Sequence, residues 1–224
     1  MALRALPLVA ALALAPMAQA NCARDAMLVM DGSASMAELG FDPTAPTRIM
    51  EARDAVRRAM PRIAPVRRVG LITYGPGGAD SCSGINLVFQ PVPDAAGPVI
   101  AGIDALDPGG LTPIAASVEA AAGVLERDGI VVLVTDGNET CGGTPCALGK
   151  DLALFAPDLT VHVIGFRVVY DPFAWDSPEA GIYSGGDSVA RCLSEATGGM
   201  YVNTETVGEL AEALRRTLGC ALIG

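Results

Sequence analysis

Short apolar runs and longer segments with helical spacing alternate along this chain. The apolar runs are too short for helices and are bounded by turn residues, so they predict strands. These predicted strands cover residues 28–30, 69–74, 85–89, 130–135, 159–166 and 200–203. Apolar spacing and capping residues predict helices over residues 48–63, 95–106, 114–127, 146–155, 188–196 and 207–218.

Alternating strands and helices predict a doubly wound α/β domain, that is, a mostly parallel sheet with helices on both faces. The run at residues 130–135 is continuously apolar before its last residue, as expected for a strand that is buried on both faces. The strands at residues 69–74 and 85–89 are joined by a turn, so we expect a hairpin and one antiparallel edge strand.

Residues 1–20 have the pattern of a signal peptide. Arg4 precedes a short apolar stretch, and Ala18-Gln19-Ala20 fits a small-x-small cleavage site. The apolar stretch is too short to anchor the chain in a bilayer, and no later segment reaches membrane-spanning length without charges or prolines. We therefore expect residues 21–224 to form a single exported domain, either periplasmic or secreted.

Cysteine content and charge agree with export and narrow the partners. All six cysteines follow the predicted leader, and an even count in an exported chain favours disulfides. One of the 15 basic residues lies in the leader, so the remaining 14 oppose 25 acidic residues and give a net charge of −11. Such a charge argues against nucleic acid or an anionic membrane as a partner.

The first strand ends in residues suited to binding a cation. Asp31, Ser33 and Ser35 alternate directly after the apolar run, and Gly32 lets the backbone bend between them. Three oxygen-bearing side chains that point toward one position suit a hard cation, Mg²⁺ above all, with Mn²⁺ or Ca²⁺ as alternatives. The motif is short, so it needs support from the rest of the chain.

Two later segments supply that support. Asp136 follows the most apolar strand, and Thr112 lies in the Gly-Gly-Leu-Thr-Pro loop before a predicted helix. Parallel strands end at one edge of a sheet, where ligands bind, so we expect Asp31, Asp136 and Thr112 to meet there. Alternatively, the aspartates are plain turn or cap residues and Thr112 is an ordinary helix N-cap.

With these motifs the chain resembles the von Willebrand factor type A (VWA) domains, and the resemblance covers nearly all of residues 21–224. It rests on Asp31-x-Ser33-x-Ser35, on the loop that contains Thr112, and on the strand that ends in Thr135-Asp136-Gly137. The resemblance implies a Rossmann-like fold and a metal-ion-dependent adhesion site (MIDAS). In this family the two serines and the threonine hold Mg²⁺, the two aspartates often act through water, and a carboxylate of a partner protein completes the coordination.

Four aromatic residues suggest where a partner would bind. They follow the strand at residues 159–166, so we expect them at the same edge as the metal, where rigid aromatic side chains serve as interface anchors. An equal alternative is that they cover a small core of their own loop. The four residues are Tyr170, Phe173, Trp175 and Tyr183.

The six cysteines allow 15 pairings, so counting does not fix their connectivity. We expect Cys141–Cys146, because a short turn separates them, and Cys22–Cys220, because they bracket the domain. Cys82–Cys192 follows only by elimination. A zinc site at Cys141 and Cys146 is a weaker interpretation, since the sole histidine, His162, lies inside an apolar strand and is expected to be a core residue.

The arginines of the helix at residues 48–63 are open to two interpretations. They could form an anion-binding face, but a solvated face supported by an ion pair between Asp54 and Arg58 is favoured.

Three functional hypotheses remain. The first is a metal-dependent binding module that captures an acidic group of another protein. The second is a metal-assisted hydrolase that uses Asp31 and Asp136, with Glu139 as the nearest candidate for a general base. The third is an envelope protein in which the metal only stabilises the fold. The hydrolase is disfavoured because no histidine, lysine or pair of glutamates recurs beside the predicted metal loops.

Overall fold

Six strands form one sheet in the order β3-β2-β1-β4-β5-β6. This is a computed structural model, and it describes residues 22–39, 44–168, 179 and 189–220. The strands are β1 (Ala26–Asp31), β2 (Val69–Tyr74), β3 (Ile85–Val92), β4 (Gly129–Thr135), β5 (Leu159–Phe166) and β6 (Tyr201–Thr204). The helices are α1 (Arg48–Ile63), α2 (Ala96–Asp104), α3 (Ile114–Val124), α4 (Pro145–Phe155), α5 (Arg191–Thr197) and α6 (Val207–Leu218).

The sheet confirms the predicted doubly wound α/β fold. Strand β3 pairs antiparallel with β2 at one edge, and the other neighbouring strands pair in parallel. Side chains on β1 alternate between two cores: Leu28 and Met30 pack with α1, α2 and α6, whereas Met27 and Val29 pack with α3, α4 and α5. Helices therefore cover both faces, as the alternation of strands and helices predicts.

The topology brings the ends of β1 and β4 together. The two strands are neighbours, with Met30 opposite Val134, so Asp31 and Asp136 leave the sheet at the same edge. On the other side of β1, Asp31 lies opposite Tyr74, the last residue of β2. None of the helices in the described part of the chain combines the length and apolar character that crossing a membrane requires.

The cysteine pairing differs in part from the prediction. The structure pairs Cys22 with Cys220, as expected from their positions at the two ends of the domain. The other two disulfides are Cys82–Cys141 and Cys146–Cys192, so the predicted Cys141–Cys146 and Cys82–Cys192 bonds are wrong.

The start of a helix explains the correction. Because α4 begins at Pro145, Cys146 belongs to that helix and is buried against α5, where Cys192 lies at a Cα separation of 4.8 Å. Cys141 precedes the helix and faces the β2–β3 connection, where the Cα of Cys82 is 5.6 Å away. Sequence proximity between Cys141 and Cys146 is therefore overridden by the direction of α4, and disulfides rather than zinc occupy both residues.

His162 is a structural residue of β5. Its Nδ1 accepts a hydrogen bond of 2.9 Å from the backbone N–H of Met200, the residue just before the neighbouring edge strand β6. Burial, followed by the positive charge of Arg67, lowers the pKa of His162 from 6.5 to about 4. The neutral imidazole is thus built into the sheet as an acceptor.

We expect His162 to make folding stability depend on pH. The unfolded chain takes up a proton near pH 6.5, whereas the folded protein resists it down to about pH 4. In this window the unfolded state binds more protons, so stability is lost as the pH falls, at no more than about 1.4 kcal/mol per pH unit. The variant His162→Asn, whose amide oxygen can replace the acceptor, should lack this component. Urea denaturation of both proteins between pH 4 and 7.5 measures the difference, and parallel stability curves would contradict the assignment.

Candidate metal centre

The end of β1 organises the first half of the candidate site. Asp31 is the last residue of the strand, and its Oδ1 accepts a hydrogen bond of 2.8 Å from the backbone N–H of Ser33. The hydroxyls of Ser33 and Ser35 are 3.0 Å apart. Between Asp31 and Ser33 the chain passes so close to β2 that a Cβ at Gly32 would lie 2.8 Å from the Tyr74 carbonyl oxygen. The bend that aligns these oxygens therefore requires glycine.

The end of β4 supplies the second carboxylate. The hydroxyl of Ser35 donates a hydrogen bond of 2.8 Å to Oδ1 of Asp136, which directly follows β4. Asp31 is fully buried, and Ser33 and Asp136 are each 2 % exposed. Asp31, Ser33, Ser35 and Asp136 thus form one connected chain of oxygen-bearing groups, although about a hundred residues separate its ends in sequence.

Thr112 is held between these two segments by its backbone. The N–H of Gly109 donates to the carbonyl of Gly32, and the N–H of Ala34 donates to the carbonyl of Gly110, so the loop at residues 109–112 is bonded to the β1 loop. Thr140 completes the arrangement. Its hydroxyl accepts from the N–H of Thr112 at 2.9 Å, and its own N–H donates to the Thr112 carbonyl at 3.1 Å.

The alternative role of Thr112 as a helix cap is not what the structure contains. Pro113 occupies the N-cap position of α3, and its side chain makes no capping hydrogen bond. Glu139 serves the helix instead: its Oε2 accepts from the N–H of Ala115, and its Oε1 accepts from the N–H of Cys141. Glu139 is fully buried, so the residue that the hydrolase hypothesis needs as a base is engaged by two backbone amides.

Two buried hydroxyls fix Asp31 from the side of the sheet. Tyr74 donates to Oδ2 of Asp31 at 2.8 Å, and Thr135 donates to the same oxygen at 2.7 Å. Both residues are fully buried. Burial, followed by the negative charge of Asp31, raises the pKa of Tyr74 well above its ordinary value, so the phenol remains a donor. These contacts leave Asp31 a single orientation.

An arginine approaches the second carboxylate. Nη1 of Arg48, the first residue of α1, lies 3.1 Å from Oδ2 of Asp136, 2.9 Å from the carbonyl of Ser35 and 3.1 Å from Oε2 of Glu38. Its side chain is only 8 % exposed. The predicted solvated face is therefore wrong for Arg48. The helix ion pair of Asp54 is also made by Arg57 rather than by Arg58.

The electrostatics of Asp136 show the effect of burying two carboxylates together. Burial is the main cause that raises the pKa of Asp136 to about 7, and the charge of Asp31 raises it further. Hydrogen bonds from Ser35 and Arg48 act in the opposite direction. In its ionised form Asp136 is thus short of positive charge, which is the condition that a cation relieves.

The donor set fits a hard cation. It consists of oxygen atoms from two carboxylates and the hydroxyls of Ser33 and Ser35, with Thr112 held alongside, and such ligands suit Mg²⁺, Mn²⁺ or Ca²⁺. Across the described residues no three acidic, histidine or cysteine side chains gather into a metal cluster, so the two carboxylates need hydroxyls or water to complete the shell of an ion. The predicted partner-binding residues Tyr170, Phe173, Trp175 and Tyr183 lie outside the described residues.

Four residues that shape the site were not assigned to it from the sequence. They are Arg48, Tyr74, Thr135 and Thr140. Tyr74 and Thr135 each end a predicted strand next to β1, so their position was a usable signal. Arg48 and Thr140 lie in or beside loops, and only the folded chain places them.

Comparison with known proteins identifies the family and the fold. The family model described as von Willebrand factor type A domain matches residues 26–139, which include all five candidate ligands. YwmD, an uncharacterized protein of Bacillus subtilis strain 168, is 29% identical over 142 residues, which cover 61% of this chain and 57% of YwmD. The chain therefore spans little more than half of that relative.

Solved structures show the same fold at low identity. The pilus adhesin SpaC from Lactobacillus rhamnosus GG superposes with a TM-score of 0.65 at 13% identity, covering 87% of this chain and 30% of SpaC. Proximal thread matrix protein 1 from the mussel byssus, in a form with a zinc-occupied MIDAS motif, gives a TM-score of 0.59 at 15% identity. The similarity covers 90% of this chain and 46% of the mussel protein.

We expect Arg48→Met to destabilise the metal-free protein. The substitution preserves most of the apolar stem but removes the cation beside a buried carboxylate, a loss of about 3 kcal/mol in buried ion pairs. Urea denaturation in the presence of EDTA measures the free energy of unfolding. The measurement is made at pH 8, where Asp136 is largely ionised.

Arg57→Met is the matched control. Arg57 belongs to the same helix and makes two ion pairs, but its side chain is 46 % exposed, so its loss should cost no more than about 1 kcal/mol. Equal losses for the two variants would mean that the Arg48 contact to Asp136 contributes nothing beyond a surface ion pair.

Proposed function

This chain belongs to the von Willebrand factor type A family, and we propose that it is an exported, metal-dependent protein-binding module. In this proposal Asp31, Ser33, Ser35, Thr112 and Asp136 hold a divalent cation, and an acidic group of another protein completes its coordination. The observation that carries the proposal is the connected set of oxygen atoms at the ends of β1 and β4. The metal-occupied MIDAS motif of the mussel protein supports a divalent ion.

Mg²⁺ is the ion we propose, with Mn²⁺ or Ca²⁺ as close substitutes. Oxygen ligands alone favour these hard cations over softer metals, which prefer nitrogen and sulfur. When bound, the ion would supply an electrophilic centre that attracts a carboxylate. The protein's own residues supply orientation: Tyr74 and Thr135 fix Asp31, and Arg48 fixes Asp136.

The charges around the site favour an anionic ligand. The two buried carboxylates balance a divalent ion, and Arg48 adds one further positive charge within 3.1 Å of Asp136. Glu38 also contacts Arg48, but its side chain is 64 % exposed and solvent screens it. A loaded site is therefore expected to prefer a partner's carboxylate over water.

We propose a binding role rather than a catalytic one. Glu139, the nearest additional carboxylate in the sequence, is buried and accepts two backbone hydrogen bonds. His162 lies inside the sheet on β5 and accepts the Met200 amide. Neither group is placed as a free base beside the oxygen set, and this supports the binding hypothesis over the hydrolase.

Export rests on three observations. The leader pattern of residues 1–20 predicts secretion, and the structure contains three disulfides, which persist in oxidising compartments. The SpaC adhesin, which has the same fold, is a pilus protein.

Metal binding is tested by removing single hydroxyls. We expect Mn²⁺ to bind the wild-type protein and Mg²⁺ to raise its melting temperature, because a ligand that binds only the folded state stabilises it. Ser35→Ala and Thr112→Val should each weaken Mn²⁺ binding at least about tenfold, which corresponds to about 1.4 kcal/mol. Electron paramagnetic resonance of free Mn²⁺ measures the dissociation constants.

Thr217→Val is the control for the loss of a buried hydroxyl. Thr217 is as buried as Thr112, and its hydroxyl donates to the Ala213 carbonyl within α6. The next residue, Leu218, bonds Arg67 just before β2 begins, which places Thr217 near the edge of the sheet opposite the candidate site. Removal of the Thr217 hydroxyl should leave Mn²⁺ affinity unchanged. If wild-type protein binds no Mn²⁺, or if all three variants bind it equally, the metal site is wrong.

Capture of an acidic group is tested with displayed peptides. Peptides selected from a random library on the Mg²⁺-loaded protein should share an essential Asp or Glu, because the ion needs an anionic oxygen from the partner. Changing that residue to Asn or Gln, or adding EDTA, should abolish binding in a surface plasmon resonance assay. Selected peptides that bind equally with EDTA, or that need no acidic residue, would contradict the proposal.

A further inference from the structure

The Cys82–Cys141 disulfide joins two segments that each hydrogen-bond the loop that carries Thr112. We propose that this disulfide is a positioning element of the metal site: it holds residues 109–112, here called the threonine loop, against Ser33 and Asp136, and so raises metal affinity. The inference rests on the proposed function, because it concerns the same ion. Neither cysteine is a ligand in it.

The first link runs through Ser81. The backbone N–H of Leu111 donates a hydrogen bond of 2.8 Å to the carbonyl of Ser81, which directly precedes Cys82 in the β2–β3 connection. Leu111 is 39 % exposed, so its side chain does little to hold the loop from inside the protein. The amide of Leu111 is thus fixed by the residue next to one half of the disulfide.

The second link runs through Thr140. Thr140 accepts from the N–H of Thr112 with its hydroxyl and donates its own N–H to the Thr112 carbonyl. Thr140 directly precedes Cys141. The N–H and the carbonyl of Thr112 are therefore both bonded to Thr140, the residue next to the other half of the disulfide.

The disulfide joins these two supports across 59 residues of sequence. Ser81 is exposed and Cys82 and Cys141 are half-buried, so apolar burial contributes little to holding the supports together. Asp80, which receives the amides of Cys82 and Ser83, orders only its own turn. Glu139 holds the Cys141 amide at the start of α3 but does not reach the Ser81 segment, so the covalent bond is the direct link between the two supports of the threonine loop.

Fixing a ligand in advance increases affinity because the cost of ordering is met during folding rather than during binding. Without the disulfide, the segments that contain Ser81 and Thr140 separate more readily, and the Leu111 and Thr112 amides lose their acceptors part of the time. The bonds of Gly109 and Gly110 to the β1 loop remain, but the metal has to meet the cost of ordering Leu111 and Thr112, so its affinity falls.

The protein contains a matched control bond. Cys146–Cys192 spans 46 residues, so removing it relaxes the unfolded chain by a similar amount. It also connects to α4, which follows the same β4 loop, but it joins α4 to α5 and bonds no residue of the threonine loop. The comparison therefore separates loss of a disulfide in general from loss of this particular support.

The experiment compares wild-type protein with Cys82→Ser/Cys141→Ser and with Cys146→Ser/Cys192→Ser. Hydrogen exchange of the Leu111 and Thr112 amides is measured by NMR in the presence of EDTA, and amides of β4 report whether each variant is folded. We expect exchange of both loop amides to rise at least tenfold in the first variant alone. Mn²⁺ affinity, measured on the same samples, should fall five- to tenfold in that variant and less than twofold in the control.

The two readouts have different meanings. Unchanged exchange at Leu111 and Thr112 in the folded Cys82→Ser/Cys141→Ser protein, or an equal rise in both variants, would overturn the positioning role. Faster exchange with unchanged Mn²⁺ affinity would overturn the link to the metal. If wild-type protein binds no Mn²⁺, the proposed function and that link fail together, while the metal-free exchange data still decide whether the disulfide holds the loop.

Discussion

The arrangement of this edge of the sheet depends on burying two carboxylates side by side. Asp31 and Asp136 end neighbouring parallel strands, and both are removed almost completely from water. Burial disfavours the ionised form of Asp136, and repulsion from Asp31 disfavours it further, so the pKa of Asp136 rises to about 7. Each carboxylate therefore has to be surrounded by donors, and the donors come from four different segments of the chain.

Those donors also explain why the loops are shaped as they are. Gly32 lets β1 turn beneath Tyr74, and Gly110, at a φ of 71°, packs so closely on Gly75 that any side chain there would overlap the Gly75 carbonyl. The close approach allows the N–H of Gly109 to donate to the Gly32 carbonyl and the N–H of Ala34 to donate to the Gly110 carbonyl. Local backbone conformation, backbone hydrogen bonds and a disulfide thus act in the same direction, and the hydroxyl groups are left arranged around one position.

Much of this was accessible from the sequence, for a specific reason. The polar residues of the candidate site follow apolar strands, and once a parallel sheet is inferred its carboxyl edge collects them without further information. Asp31, Ser33, Ser35 and Asp136 are brought together in this way. The Cys22–Cys220 pair followed from the ends of the domain, but the other two pairs were not accessible, because they depend on which way α4 runs across the fold. Arg48 was misjudged because its spacing on α1 is that of a solvated residue, whereas its contacts are made beyond the start of the helix.

Arg48 compensates only part of the cost of burying the Asp136 carboxylate, whose pKa stays raised. Of the two oxygens of Asp136, Nη1 of Arg48 contacts Oδ2, whereas Oδ1 accepts a hydrogen bond from the Ser35 hydroxyl. One oxygen of Asp136 is thus bonded to Arg48, and the other is bonded to the Ser35 hydroxyl, which in turn contacts the hydroxyl of Ser33. The same guanidinium nitrogen bonds the Ser35 carbonyl, so the backbone of the β1 loop and the carboxylate of the β4 loop share one anchor at the start of α1. Because α1 packs on α6 and the sheet, the position of that anchor is set by the core rather than by the loops, and the site inherits the rigidity of the fold.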